Sequence, residues 1–198
     1  MSDKANEAKP YHHGDLRRAL VEAAERILEN EGPSALSLRA VAREAGVSAA
    51  APYHHFKDKN ELLAAIAQEG FELLAQAMRE GAAHEEDPRR RLNALGVAYV
   101  RFARDNPALY NLMYSTSRER DQRAGGPFGL VKAAMIEAGA DAIGAADLEL
   151  AQIAAWCAAH GLAEMSASRE FDAAKARLGG DEAFFAAILS HLSLYRWT

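Results

Sequence analysis

Between Ser37 and Lys59 the chain reads SLRAVAREAGVSAAAPYHHFKDK, and side chains able to donate to a phosphate gather at its far end as Tyr53, His54 and Lys59. Phosphate contacts of this kind fix a protein's register on a duplex without reading its sequence. Ahead of them Ala49, Ala50 and Ala51 are small enough to let the backbone approach a major groove closely. Alanine offers a thymine methyl apolar contact and makes no bidentate hydrogen bond, so this stretch carries little direct base readout. A second pair stands far along the chain. Trp156 and His160 are four residues apart and share one helical face, where an indole and an imidazole can line a cavity and give a small molecule one polar handle. The competing reading is that the two rings stack in a core or a dimer seam. Phe102, Tyr110, Met113 and Tyr114 add aromatic and soft side chains, with core packing as the default and pocket lining as the alternative.

Other clusters promise less. His12-His13 and His54-His55 are adjacent pairs whose side chains on a helix point about 100° apart, so neither is expected to converge on a metal ion. The run Arg89-Arg90-Arg91 after Glu85-Glu86-Asp87 reads as a solvated face or a salt-bridge cluster and receives no function. Cys157 reads as a small buried hydrophobe. The sequence holds no Gly-rich phosphate loop, no G-x-S-x-G and no H-E-x-x-H, so no catalytic residue, no enzyme activity, no cofactor and no metal are expected.

The elements that must position these residues are helices, because apolar residues recur at spacings of three and four and no stretch alternates with period two. The expected fold is all-α. Leu16, Ala19, Leu20, Ala23, Ala24, Ile27 and Leu28 form one stripe of a first helix that closes at Gly32-Pro33. A short second helix has Ser37 as N-cap and Leu38, Val41, Ala42 and Ala45 inward, and ends at Gly46. Ser48 opens a third that runs to about Phe56, with Val47 buried in the turn between them. Asp58 and Glu61 have capping-box spacing at the head of a fourth helix reaching about Gly81. Asp87-Pro88 and Asn106-Pro107 each place a capping side chain before a proline and start two more. Residues 115 to 129 read as a loop, and helices resume over about 128–138, 147–166 and 181–195, the last with Phe184, Phe185, Ile188, Leu189 and Leu192 on one face.

Two short helices joined by a Gly-containing turn make a helix-turn-helix. With Ser37, Arg39, Val41-Ala42, Ala45-Gly46-Val47-Ser48, Tyr53, His55-Phe56, Lys59 and Leu62 in place, residues 12 to 60 resemble the three-helix DNA-binding module of TetR-family transcriptional regulators. Trp156-Cys157-Ala158-Ala159-His160-Gly161 is similar to the signature of the family's WHG regulatory domain. The resemblance implies residues 1–57 as a DNA-binding domain and residues 58–198 as a larger helical domain for ligand sensing and dimerisation. It implies a homodimer on a palindromic double-stranded DNA operator, acting as a repressor and released by an unidentified small-molecule effector. Ser37, Arg39, Ser48, Ala49, Tyr53, His54 and Lys59 carry over as DNA-contacting residues, Arg39 foremost for a base or groove-edge contact. Phe102, Tyr110, Met113, Trp156 and His160 are the candidates for the ligand. The alternative is a ligand-binding or adaptor protein of the same fold with weak or no DNA binding.

Composition sets the limits. The chain has 198 residues, 49% of them hydrophobic and 26% charged, enough for a sizeable core and unlike a disordered or collagenous chain. Its one cysteine permits no intrachain disulfide, its first ten residues lack the apolar stretch of a secretory signal, and no apolar run approaches the roughly 18 residues of a membrane span. A reducing cytoplasm is the expected compartment, with no membrane partner. The net charge is -5, yet residues 1 to 60 balance nine Lys/Arg against nine Asp/Glu and hold four of the seven histidines. The negative excess lies beyond residue 60, so the N-terminal segment can approach a polyanion.

Overall fold

A computed structural model describes residues 13–116, 125–139 and 144–192. Among them the secondary structure is nine α-helices and short 3-10 turns, an all-α architecture. The chain forms two compact units, residues 1–66 and 67–198. No helix among the described residues is long and apolar enough to cross a membrane.

In the first unit α1 (His13–Glu31) buries Leu20, Ala23, Ala24, Ile27 and Leu28, as its stripe requires, and adds Val21. The short α2 (Leu38–Glu44) cannot rely on propensity and is held by its ends. The Ser37 hydroxyl accepts from the Ala40 N–H at 3.1 Å. At the other end Val47 N–H donates to Ala42 C=O and Gly46 N–H to Arg43 C=O, the crossed pair of a Schellman motif. That motif needs a left-handed residue, and Gly46 supplies it with φ +68°. Ala45 and Val47 are half-buried rather than buried.

The expected third helix is shorter than its spacing suggested. Residues Ala51–His54 form one 3-10 turn, entered by an Ala51 N–H to Ser48 C=O bond. Pro52 has no N–H to give Ser48, so an α-turn cannot close there and bonds to the residue three back take over. Phe56, 1% exposed, anchors the far end. The helix α3 (Lys59–Ala82) begins where Asp58 accepts from the Glu61 N–H at 3.0 Å and Glu61 accepts from the Lys57 N–H at 2.7 Å.

The second unit is built around α4 (Pro88–Asp105), which packs against α6 (Pro127–Glu137), α7 (Ala145–Met165) and α9 (Asp181–Leu192). Asp87 caps α4 by accepting from the Arg90 N–H at 2.9 Å. Asn106, expected to cap α5 (Pro107–Thr116), instead donates its side-chain amide to Phe102 C=O at the end of α4. A further helix, α8 (Asp172–Leu178), follows a 3-10 turn at Arg169–Phe171 and went unread in the sequence. Most of the loop expected over 115–129 and the end of the last helix beyond 192 lie outside the described residues. Phe184, Phe185 and Leu189 of α9 are buried within the protomer, and Ile188 on the same helix is exposed. Cys157 is exposed on α7, contrary to its expected burial, because Trp156 and Ala159 occupy the inward positions there.

Candidate DNA interface and ligand cavity

In the first unit, α2, the Gly46 turn, the 3-10 turn and the start of α3 carry the residues expected to contact DNA. Ser37, Arg39, Ser48, Ala49, Tyr53, His54 and Lys59 are all exposed. Tyr53, 54% exposed, is a large aromatic residue with no core to fill. Ser37 keeps its hydroxyl hydrogen while its oxygen caps α2, so it can still donate to a phosphate. Lys59 lies 3.4 Å from Pro33 C=O, a contact that tethers the ammonium near the helix start. Arg26 and Glu44 pair at 2.8 Å beside α2, and the Arg17 guanidinium sits over the Phe56 ring at 5.3 Å. These contacts fix the position of the edge on its scaffold.

The second unit holds a cavity of about 430 Å³. Leu92, Asn93, Gly96 and Tyr99 of α4 form one wall, Val131 and Met135 of α6 another, and Ala151, Ala155, Trp156 and Ala159 of α7 a third. Met78 of α3 and Leu189 of α9 also line it, as do Arg89, Leu150 and Ala154. Trp156 meets Tyr99 and Phe128 edge-on, with ring centroids 5.1 and 5.4 Å away.

Tyr99 closes one end and carries a buried polar cluster. Its hydroxyl donates to Tyr114 Oη at 2.9 Å and lies 3.0 Å from both Tyr110 Oη and His160 Nδ1, while Tyr110 Oη and His160 Nδ1 are 2.6 Å apart. With Tyr99's hydrogen committed to Tyr114, most of the remaining triangle is satisfied when Nδ1 carries a hydrogen and Nε2 is the ring's acceptor. Burial pushes the Tyr99 and Tyr114 hydroxyls up from the ordinary phenol value. It also pushes Tyr110 up to about 12, opposed by its hydrogen bond with Tyr99 and assisted by the charge of Glu164.

A raised pKa on an acid means the folded state prefers the neutral form. Tyr110's contribution to stability is therefore complete below the ordinary value of 10.0 and is lost as pH rises through about 12, and Tyr99 and Tyr114 act in the same direction. A phenolate absorbance titration of the protein's six tyrosines should show a group that ionises only when the second unit unfolds. Ionisation of all six near the ordinary value with the helices intact would contradict the cluster.

Of the residues singled out for a ligand, Trp156 lines the cavity. His160 and Tyr110 meet it only through the Tyr99 hydroxyl. Met113 is fully buried against Gly70, where an added Cβ would come within 2.7 Å of its sulfur, and Phe102 is a buried residue of α4; neither is part of the cavity wall. The sequence reading missed Tyr99, Met78, Met135 and the α4 row. The available signal was Leu92, Gly96 and Tyr99 at helical spacing, with a glycine that leaves room inside the bundle.

A helix-turn-helix on one unit and an apolar cavity in the other define a DNA-binding transcriptional regulator. The family model described as "Bacterial regulatory proteins, tetR family" matches residues 20–66, and that described as "Tetracyclin repressor-like, C-terminal domain" matches residues 92–192. The chain belongs to the TetR family. A protein of unknown function from Rhodococcus sp. RHA1 is 36% identical, with 94% of this chain and 98% of that one aligned at a TM-score of 0.70. The fold is shared with a possible TetR family transcriptional regulator from Streptomyces coelicolor A3(2), 19% identical over 91% of this chain and all of that one, at a TM-score of 0.65. It is shared as well with the TetR family regulator PfmR from Thermus thermophilus, 22% identical over 87% and 96% of the two chains, at a TM-score of 0.58. TetR-family regulators bind DNA operators and dimerise.

Proposed function

We propose that this chain is a homodimeric repressor that holds a palindromic operator and leaves it when a small, largely apolar effector occupies the cavity beside Trp156. The observation that carries this reading is an apolar cavity in the unit that does not contain the helix-turn-helix. Residues 1–57 serve DNA binding and residues 58–198 serve sensing and dimerisation, in the manner of the WHG subgroup; the compact units part at Ile66, within α3. Two recognition elements must enter grooves about 34–36 Å apart or a multiple of it. The cavity wall includes Met78 of α3, the helix whose first residues belong to the DNA-binding unit, so a bound effector acts on the element that carries the chain from one unit to the other.

On the DNA side Arg39 reaches a groove edge, Ser37, Ser48, Tyr53, His54 and Lys59 hold phosphates, and Ala49 permits close approach. On the effector side Trp156 makes the contact, Tyr110 and His160 orient Tyr99, and Phe102 and Met113 support the bundle. The homodimer forms through α7 and α9, where Met165 and Ile188 leave apolar surface exposed on the protomer and where the exposed Leu150 and Ala154 also line the cavity. Tyr53→Ala should weaken operator binding by about 1.5–3 kcal/mol per protomer, the loss of one hydrogen bond to a charged group from each, without altering the fold. A gel-shift titration that finds binding unchanged, with the helical signal intact, removes the 3-10 turn from the interface.

A further inference from the structure

The arginine run at the head of α4 does not form one cluster. Arg91 pairs with Glu137 and donates to Glu85 C=O, and further along the helix Arg101 pairs with Glu182 and Arg104 with Asp105. Arg89 has no carboxylate partner among the described residues. It is exposed, lines the cavity, and also lines the shallow groove between α4 and α9, so it stands at the rim. Every other described side chain of the cavity wall is uncharged. One turn further along, Asn93 donates one amide hydrogen to Ala186 C=O at 3.0 Å, which leaves its oxygen and second hydrogen for another partner.

From this placement we infer that the effector is an amphiphilic monoanion, with a carboxylate held by Arg89 at the rim and an apolar body lying inside against Trp156, Met135 and Leu189. The inference rests on the cavity being the effector site. A carboxylate does not enter an apolar interior without compensation, and a rim guanidinium lets it stay hydrated on one side while two parallel N–H bonds orient it. A dianion fits less well, because Arg89 is the one cation lining the cavity among the described residues. The cavity, at about 430 Å³, is of the size that small-molecule sites occupy.

Calorimetric titration of the full-length protein with 4-phenylbutyrate and with 4-phenylbutan-1-ol compares one apolar body under two head groups. The acid should bind about tenfold more tightly than the alcohol or better, a difference of about 1.4 kcal/mol. Arg89→Met should erase that advantage and leave the alcohol unaffected, while Arg90→Met, at an exposed neighbour outside the cavity wall, should preserve it. Equal binding of acid and alcohol to the unaltered protein, or an acid preference that survives Arg89→Met, overturns the inference. If in that case Ala155→Trp still blocks both compounds, the cavity remains a ligand site and only the head-group assignment falls. Failure of both compounds to bind at millimolar concentration overturns the cavity reading and this inference together.

Discussion

Ile188→Asp is expected to turn the homodimer into a monomer and to lower operator affinity more than 100-fold. Ile188 is 41% exposed on α9, whereas Phe184, Phe185 and Leu189 are inward, so the substitution leaves the protomer's own core untouched. In a two-fold interface the same residue is buried twice, once from each protomer. An unpaired carboxylate buried there costs on the order of 3–5 kcal/mol. A monomer presents one recognition element, and half a palindrome supplies about half the contacts. Sedimentation at micromolar concentration should give a monomer with unchanged helical content. A persistent dimer would move the interface away from this face of α9.

The largest effect on stability is expected at Trp156→Ala. The indole is 7% exposed and edge-on to Tyr99 and Phe128, so its loss joins a new void to the existing cavity and releases α7 from both α4 and α6. Removing a buried aromatic of this size costs about 3–5 kcal/mol, a fall in melting midpoint of roughly 6–20 °C for a chain of this length. Trp156→Phe keeps an edge contact and should cost less. Added indole should restore part of the midpoint in the alanine variant by filling the space, since a ligand that binds only the folded state stabilises it. A midpoint unchanged by Trp156→Ala would show that the ring is not part of the packing between these helices.

Helices with a strong stripe were legible in the sequence because burial imposed the pattern: Leu20, Ala24, Ile27 and Leu28 on α1, and Phe184, Phe185 and Leu189 on α9. Caps at Ser37, Asp58 and Asp87 were legible because a side-chain oxygen before a helix has one local job, and the Gly46 turn because its conformation excludes most other residues. What could not be read depends on neighbours distant in sequence. Tyr99, Tyr110, Tyr114 and His160 come from α4, α5 and α7, and nothing local in any of these helices announces that their polar atoms meet. The apolar residues of α9 were readable as a stripe, but not which of them turn inward and which remain for a partner. The arginines at 89 to 91 looked alike in sequence and differ only in what the tertiary structure sets beside each.

DNA reading by this chain is tested by a fluorescence-anisotropy titration of the full-length protein against a duplex from the region upstream of its own gene, beside an unrelated duplex, at several salt concentrations. A dimer neutralising several phosphates should lose affinity steeply as salt rises, with a slope near −0.9 per phosphate contact, and should prefer the upstream duplex by about 10³-fold or more. Equal affinity for the two duplexes, or no binding to either at low salt, would make the chain a ligand-binding or adaptor protein of the same fold rather than a site-specific regulator.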